Sequence, residues 1–143
     1  MSATALADQN KAIARRLFED VWNKGNLALI DEFHSSNYVH HDVATPDLGK
    51  GPESAKKLVT LYRTAFPDIN FTIDDIIAEG DKVALSWTNR ATHKGELQGI
   101  APTGKEISVT GIVIFRFSGG KIEESRVSWD ALGLMKQLGV VTQ

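Results

Sequence analysis

The 143-residue chain fits a single domain spanning 1–143, long enough to bury a core and still enclose a cavity of ligand size. Its composition, 42% hydrophobic and 24% charged, excludes a disordered or fibrous chain, and a formal net charge of −2 gives no electrostatic footprint for nucleic acid or an anionic membrane. Zero cysteines exclude disulfides, thiolate nucleophiles and thiolate-held zinc or iron–sulfur centres. The first residues lack the basic start and apolar run of a secretory signal, and no stretch approaches the ~20 apolar residues of a membrane span, so a cytoplasmic protein is expected.

From Asn10 to Trp22 the apolar residues Ile13, Leu17, Phe18, Val21 and Trp22 recur at helical spacing, with Lys11, Arg15, Arg16, Glu19 and Asp20 between them. Asn23 to Asn26 supplies a stop, with Gly25 suited to a left-handed cap, and Leu27 to Phe33 reads as a second short helix. Tyr38 to Asp42 reads as extended, followed by a loop to Gly51. Pro52 opens a third helix carrying Ala55, Leu58, Val59, Tyr62 and Phe66 as its apolar stripe, and Pro67 ends it. Ile69 to Glu79 and Val83 to Thr92 are expected strands around the turn Gly80-Asp81-Lys82. Lys105 to Phe117 and Ile122 to Trp129 form a second pair around Ser118 to Lys121, and Leu132 to Leu138 makes a terminal helical piece.

Helices first and hairpin-linked strands after predict an α+β fold with an antiparallel sheet, and no parallel pairing is needed. If Gly119-Gly120 is the two-residue turn, Phe117 faces Ile122, and regular pairing puts Phe115 opposite Glu124, Val113 opposite Arg126, Gly111 opposite Ser128 and Val109 opposite Asp130. Asp130, Glu124 and Arg126 then share a face with Val109, Val113, Phe115 and Phe117. Trp129 falls behind the sheet and Arg116 beside Glu123 on the opposite face. A bulge would reverse these assignments.

The segments Trp22 to Asn26, Tyr38 to His41, Ala65 to Asp68, Gly80 to Val83, Thr92 to Gly95, Ala101 to Lys105, Phe115 to Phe117, Gly120 to Ile122, Trp129-Asp130 and Gln137 to Gly139 carry a resemblance. In this order and spacing the chain resembles the SnoaL-like polyketide cyclase (ester cyclase) family of the NTF2-like superfamily. The resemblance implies a cone in which three N-terminal helices close a strongly curved, mainly antiparallel sheet around a pocket, and it implies homodimers. It further implies intramolecular aldol ring closure of a small hydrophobic carbonyl compound, with neither metal nor organic cofactor. The same fold hosts epoxide hydrolases, isomerases and binding modules without catalysis, so a binder of an apolar metabolite is the alternative from another class.

The resemblance makes Asp130 the acid-base residue, since one carboxyl can take a proton alpha to a carbonyl and return it to the new alkoxide. A structural role, capping the helix that starts near Ala131, suits the same residue. Because successive strand residues point to opposite faces, one of His40 and His41 looks inward, and the family pattern favours His41 as a shuttle or carbonyl donor. His93 shares the parity of Val83, Leu85 and Trp87, which aims it at a pocket, at its rim or at a dimer contact. Trp22, Tyr38, Phe66, Trp87, Val113 and Phe115 are expected to line the substrate site. Arg126 is expected to tune Asp130 or bind an acidic group there. No His-x-His or His-Glu-x-x-His spacing, Gly-x-Ser-x-Gly elbow or phosphate-binding glycine loop is present, so no metal, nucleotide or serine-nucleophile chemistry is expected.

Overall fold

The computed structural model describes residues 2–141. Helix α1 (Ala3–Arg16) begins on Ser2, whose Oγ accepts from the Ala5 N–H, a favoured N-cap arrangement. It runs without a break into a π-helical segment, Leu17–Trp22, whose closing bond from Asn23 N–H reaches Phe18 O at 3.0 Å. Leu17, Phe18 and Val21 are buried here and continue the stripe that Asn10 and Ala14 begin on α1. After Gly25, in the left-handed region at φ 77°, come α2 (Ala28–Phe33), β1 (His34–His41) and α3 (Gly51–Ala65). Strands β2 (Asn70–Glu79), β3 (Lys82–Thr92), β4 (Glu106–Ser118) and β5 (Lys121–Trp129) follow, and α4 (Ala131–Leu138) ends on Gly139 in the left-handed conformation.

The helices pack on one five-stranded curved open sheet, in the order β1-β5-β4-β3-β2. The neighbours β2 to β5 are antiparallel, as hairpin connections require, but β1 pairs with β5 in parallel, a pairing the sequence did not call for. α3 packs against β1 and connects it to β2, and the two strands it joins lie at opposite edges of the sheet. Strands β3 and β4 alternate buried and exposed residues along their full length, so one face meets the helices and the other meets solvent.

The β4–β5 register departs from the regular one. The Gly119-Gly120 turn and the pair Phe117–Ile122 form as expected, but Glu123 is an extra residue, and Arg116 pairs with Glu124. Beyond that bulge Phe115 faces Ser125, Val113 faces Val127 and Gly111 faces Trp129. The inner face of β5 therefore carries Ser125, Val127 and Trp129, whereas Glu124 and Arg126 turn outward. The physical reason is desolvation: regular pairing would have placed a glutamate and an arginine against Phe115 and Val113 and left Val127 in water.

Candidate active site

Between the sheet and the helices lies a cavity of about 110 Å³. Trp22, Tyr38, Phe66, Trp87, Val113 and Phe115 all line it. Their placement follows from the π-helical segment, the first strand, α3 and the inward alternation of β3 and β4. Aromatic rings continue around it: Trp22 sits 5.2 Å from Phe71 and 6.4 Å from Tyr62, and Tyr62 meets Trp129 edge-on at 6.1 Å. Trp129, which regular pairing would have put behind the sheet, is part of this wall because of the Glu123 bulge.

One side of the cavity is polar. On β1, Tyr38 and His40 share the inward face, and His40 lies in register with Ser125 of β5. Ser125 Oγ is 2.5 Å from Tyr38 Oη and 2.8 Å from His40 Nδ1, while Tyr38 Oη is 3.3 Å from the same Nδ1. Immediately after β1, Asp42 accepts from three hydrogen-bond donors: Ala44 N–H (2.9 Å), Thr45 Oγ1–H (2.6 Å), and Trp129 Nε1–H, which reaches both carboxylate oxygens (3.0 and 3.2 Å). His40 is a fourth polar neighbour, its Nε2 3.7 Å from Asp42 Oδ2, beyond a direct hydrogen bond but within electrostatic reach. Burial works to raise the Asp42 carboxyl, but the favourable contacts from His40, Thr45, Ala44 and Trp129 outweigh it and bring the pKa down to about 2. His40 Nε2 is itself buried and has no hydrogen-bond partner among the described residues.

The other titratable groups of the wall are held neutral. Burial lowers His34 to about 4, against the pull of its bond to the Ile30 carbonyl (3.0 Å), and burial pushes the Tyr38 phenol up to about 12, with the Ser125 bond opposing. His34 meets Tyr38 edge-on at 4.5 Å. Burial also raises Tyr62, whose hydroxyl reaches Thr45 Oγ1 at 3.1 Å. Outside, the loop after β1 borders a groove of about 520 Å³ that shares His40, Asp42 and Leu58 with the cavity as a common wall.

The remaining residues singled out in the sequence lie elsewhere. Asp130 is exposed and caps α4, its Oδ1 accepting the Gly133 N–H at 2.8 Å; the carboxylate occupies the space where a Cβ on Gly133 would sit, at 2.1 Å. His41, expected inward, faces outward, and its Nε2 lies 2.9 Å from Glu124 Oε2. Arg126 is exposed on that outer face and reaches Glu124 at 3.4 Å, and Arg116 bonds Glu123 at 3.1 Å. His93 is fully buried behind Phe66, 5.4 Å between ring centres, with Nδ1 on Thr103 and with Nε2 unpartnered. It stands outside the cavity wall. Asp42, Ser125 and Trp129 also line the cavity and were not among the expected site residues. For Ser125 and Trp129 a signal was present in the run Ile122-Glu123-Glu124-Ser125, where two adjacent glutamates make an uninterrupted alternation costly; no such signal marks Asp42.

Residues 12–138 match the family model described as SnoaL-like polyketide cyclase. The chain belongs to the SnoaL-like polyketide cyclase family. Similar relatives include the aklanonic acid methyl ester cyclase DnrD of Streptomyces peucetius, 30% identical over 131 residues, which cover 89% of this chain and 88% of DnrD. The nogalonic acid methyl ester cyclase of Streptomyces nogalater is 26% identical over 120 residues, covering 82% and 89% of the two chains. Among solved structures, TsrD of Streptomyces laurentii superposes with a TM-score of 0.85 at 25% identity, covering 94% of this chain and 97% of its own. The NTF2-like cone is therefore the fold, and cyclase-type activity is what its relatives carry.

Proposed function

We propose that this member of the family closes a ring in a small, hydrophobic, multi-carbonyl compound by an intramolecular aldol reaction, with Asp42 and His40 as the proton-transfer pair. One observation carries the reading: His40 Nε2 is buried and unpartnered at the cavity wall, 3.7 Å from a carboxylate that its neighbours hold ionised. That is a donor and an acceptor placed side by side on the polar side of a mainly apolar enclosure.

In the proposed sequence His40 Nε2–H bonds the substrate carbonyl oxygen and acidifies the adjacent C–H. Asp42 takes that proton as the C–H bond breaks. The enolate carbon attacks the second carbonyl, the new C–C bond forms, and the developing alkoxide takes the His40 Nε2 proton as Asp42 passes its own proton to that nitrogen. That transfer resets the pair. Product and substrate are isomers, so the scheme needs no oxidant, reductant or electron carrier. Four contacts make Asp42 a weak base but an always ionised one above pH 3 or so, and carbonyl polarisation by His40 compensates for the weakness. Ligand sites typically measure roughly 300–1,000 Å³, more than the cavity alone, so a substrate body would extend into the adjoining groove with the reacting carbons at the shared His40–Asp42 wall.

The test uses aklanonic acid methyl ester, the compound for which DnrD is named. His40→Gln and Asp42→Asn should each lower kcat/KM by ~10²–10⁴-fold, the usual worth of a positioned acid or base, while Asp130→Asn stays within about twofold of the parent. Retained turnover in His40→Gln with loss in Asp130→Asn would return the acid-base role to Asp130.

A further inference from the structure

Tyr38 Oη, Ser125 Oγ and His40 Nδ1 form a closed triangle of contacts at 2.5, 2.8 and 3.3 Å, and both hydroxyl-bearing residues are buried: Tyr38 is 3% exposed and Ser125 1%. The triangle contains two hydroxyl hydrogens, and each needs an acceptor, because a buried O–H without one carries its full desolvation penalty. Only two arrangements satisfy both hydroxyls within the triangle. In the first, Tyr38 donates to Ser125 and Ser125 donates to His40 Nδ1. In the second, Ser125 donates to Tyr38 and Tyr38 donates to Nδ1. Both require Nδ1 to be an acceptor. A proton on Nδ1 would instead occupy Ser125, send the serine hydrogen to Tyr38, and leave the phenolic hydrogen with nothing to bond.

From this count we infer that Tyr38 and Ser125 are positioning residues that lock His40 in the tautomer carrying its proton on Nε2, the atom that faces Asp42. The consequence reaches the order of events. His40 enters the cycle as a hydrogen-bond donor to the substrate oxygen, and the first proton abstraction falls to Asp42. This rests on the proposed Asp42–His40 reading, and it explains why that reading assigns the two roles in this direction. Two features supply the lock. The Glu123 bulge turns Ser125 inward, and the parallel β1–β5 register brings it opposite His40. The phenol, raised to about 12 by burial, keeps its hydrogen at any working pH. The ionised Asp42 favours the same tautomer by attraction to Nε2–H, so the hydroxyl pair and the carboxylate act in the same sense.

The experiment is nitrogen-15 NMR of imidazole-labelled protein at about pH 8, where an ordinary histidine is neutral, combined with steady-state kinetics. In the parent protein His40 should show Nε2 protonated and Nδ1 bare. Tyr38→Phe keeps the ring but removes the hydrogen that forces the arrangement. It should let a second tautomer appear and lower kcat by about three- to tenfold with KM little changed. Ser125→Thr, which keeps the hydroxyl, should retain the parent spectrum and most of the rate. A parent spectrum with Nδ1 protonated overturns the inference, and so does a Tyr38→Phe spectrum identical to the parent's. The parent measurement needs no variant, so poor folding of a mutant does not shield the idea. It also needs no substrate: a correct tautomer with no ring-closing activity would sink the proposed function and leave the lock standing.

Discussion

Asp130 illustrates how one residue type serves two unrelated ends. A carboxylate at the end of the last strand suits acid-base chemistry, and equally it suits the first turn of the helix that follows, where backbone N–H groups lack partners. Its bond to Gly133 N–H, and the fact that only a glycine leaves room for it, tie the side chain to α4. Asp130→Ala should therefore cost about 1 kcal/mol of stability, read as a drop in the denaturant midpoint, whereas Asp130→Asn, also a good cap, should cost less than half as much. A variant Asp130→Ala as stable as the parent would remove the capping account. The cavity-lining positions legible in the sequence, Trp22, Tyr38, Phe66, Trp87, Val113 and Phe115, are those whose inward position follows from simple periodicity. Asp42 was hidden because it lies just past a strand, in a loop whose path no periodicity describes, and its place at the cavity wall is fixed by Trp129 reaching it from β5.

At the level of elements, helix and strand positions were legible because each carries its own apolar period, but a register one residue out inverts every side chain beyond it. That is what the single extra residue Glu123 does, and it moved Ser125, Val127 and Trp129 in and Asp130, Arg126 and Glu124 out. The β1–β5 parallel pair was equally invisible, since nothing local in β1 says which edge it joins. A comparable dependence on one position occurs at the C-terminal end of α3. Lys94 and Gly95 both donate their N–H to Ala65 O at 3.0 Å, satisfying a carbonyl the helix leaves open, and a Cβ on Gly95 would sit 2.0 Å from Thr64 O. The obstacle is backbone, which cannot swing aside. Gly95→Ala should therefore destabilise by about 2 kcal/mol or more, seen as a fall of several degrees in Tm, and should loosen the Phe66 side of the cavity. A Tm within one degree or so of the parent would mean that the loop tolerates displacement here.

For the molecule as a whole, the cavity makes stability depend on pH in a definite direction. His34 has a folded pKa of about 4, below the ordinary histidine value of 6.5, because burial penalises its charged form. Between these values the unfolded chain binds a proton that the folded chain refuses, so stability is full above about pH 6.5 and falls as pH drops toward 4. The shift corresponds to a loss of roughly 3 kcal/mol across that window, a large share of a typical domain's margin. Asp42 acts lower down. Its folded pKa of about 2 lies under the ordinary aspartate value of 3.8, so its contribution is present above 3.8 and is lost only as pH falls from there toward 2. The two windows are separate, which makes them distinguishable in one titration of Tm. The first decline should belong to His34: in His34→Leu the protein should lose some stability at pH 7, because the side-chain bond to the Ile30 carbonyl is gone and only the backbone N–H of residue 34 still reaches it, but its Tm should be nearly flat between pH 6.5 and about 4.5. An unchanged slope in that variant would assign the first decline to another group. Because His34 packs edge-on against Tyr38, charging it also pushes on the hydroxyl triangle that orients His40, so ring closure should fail with acid before Asp42 begins to titrate.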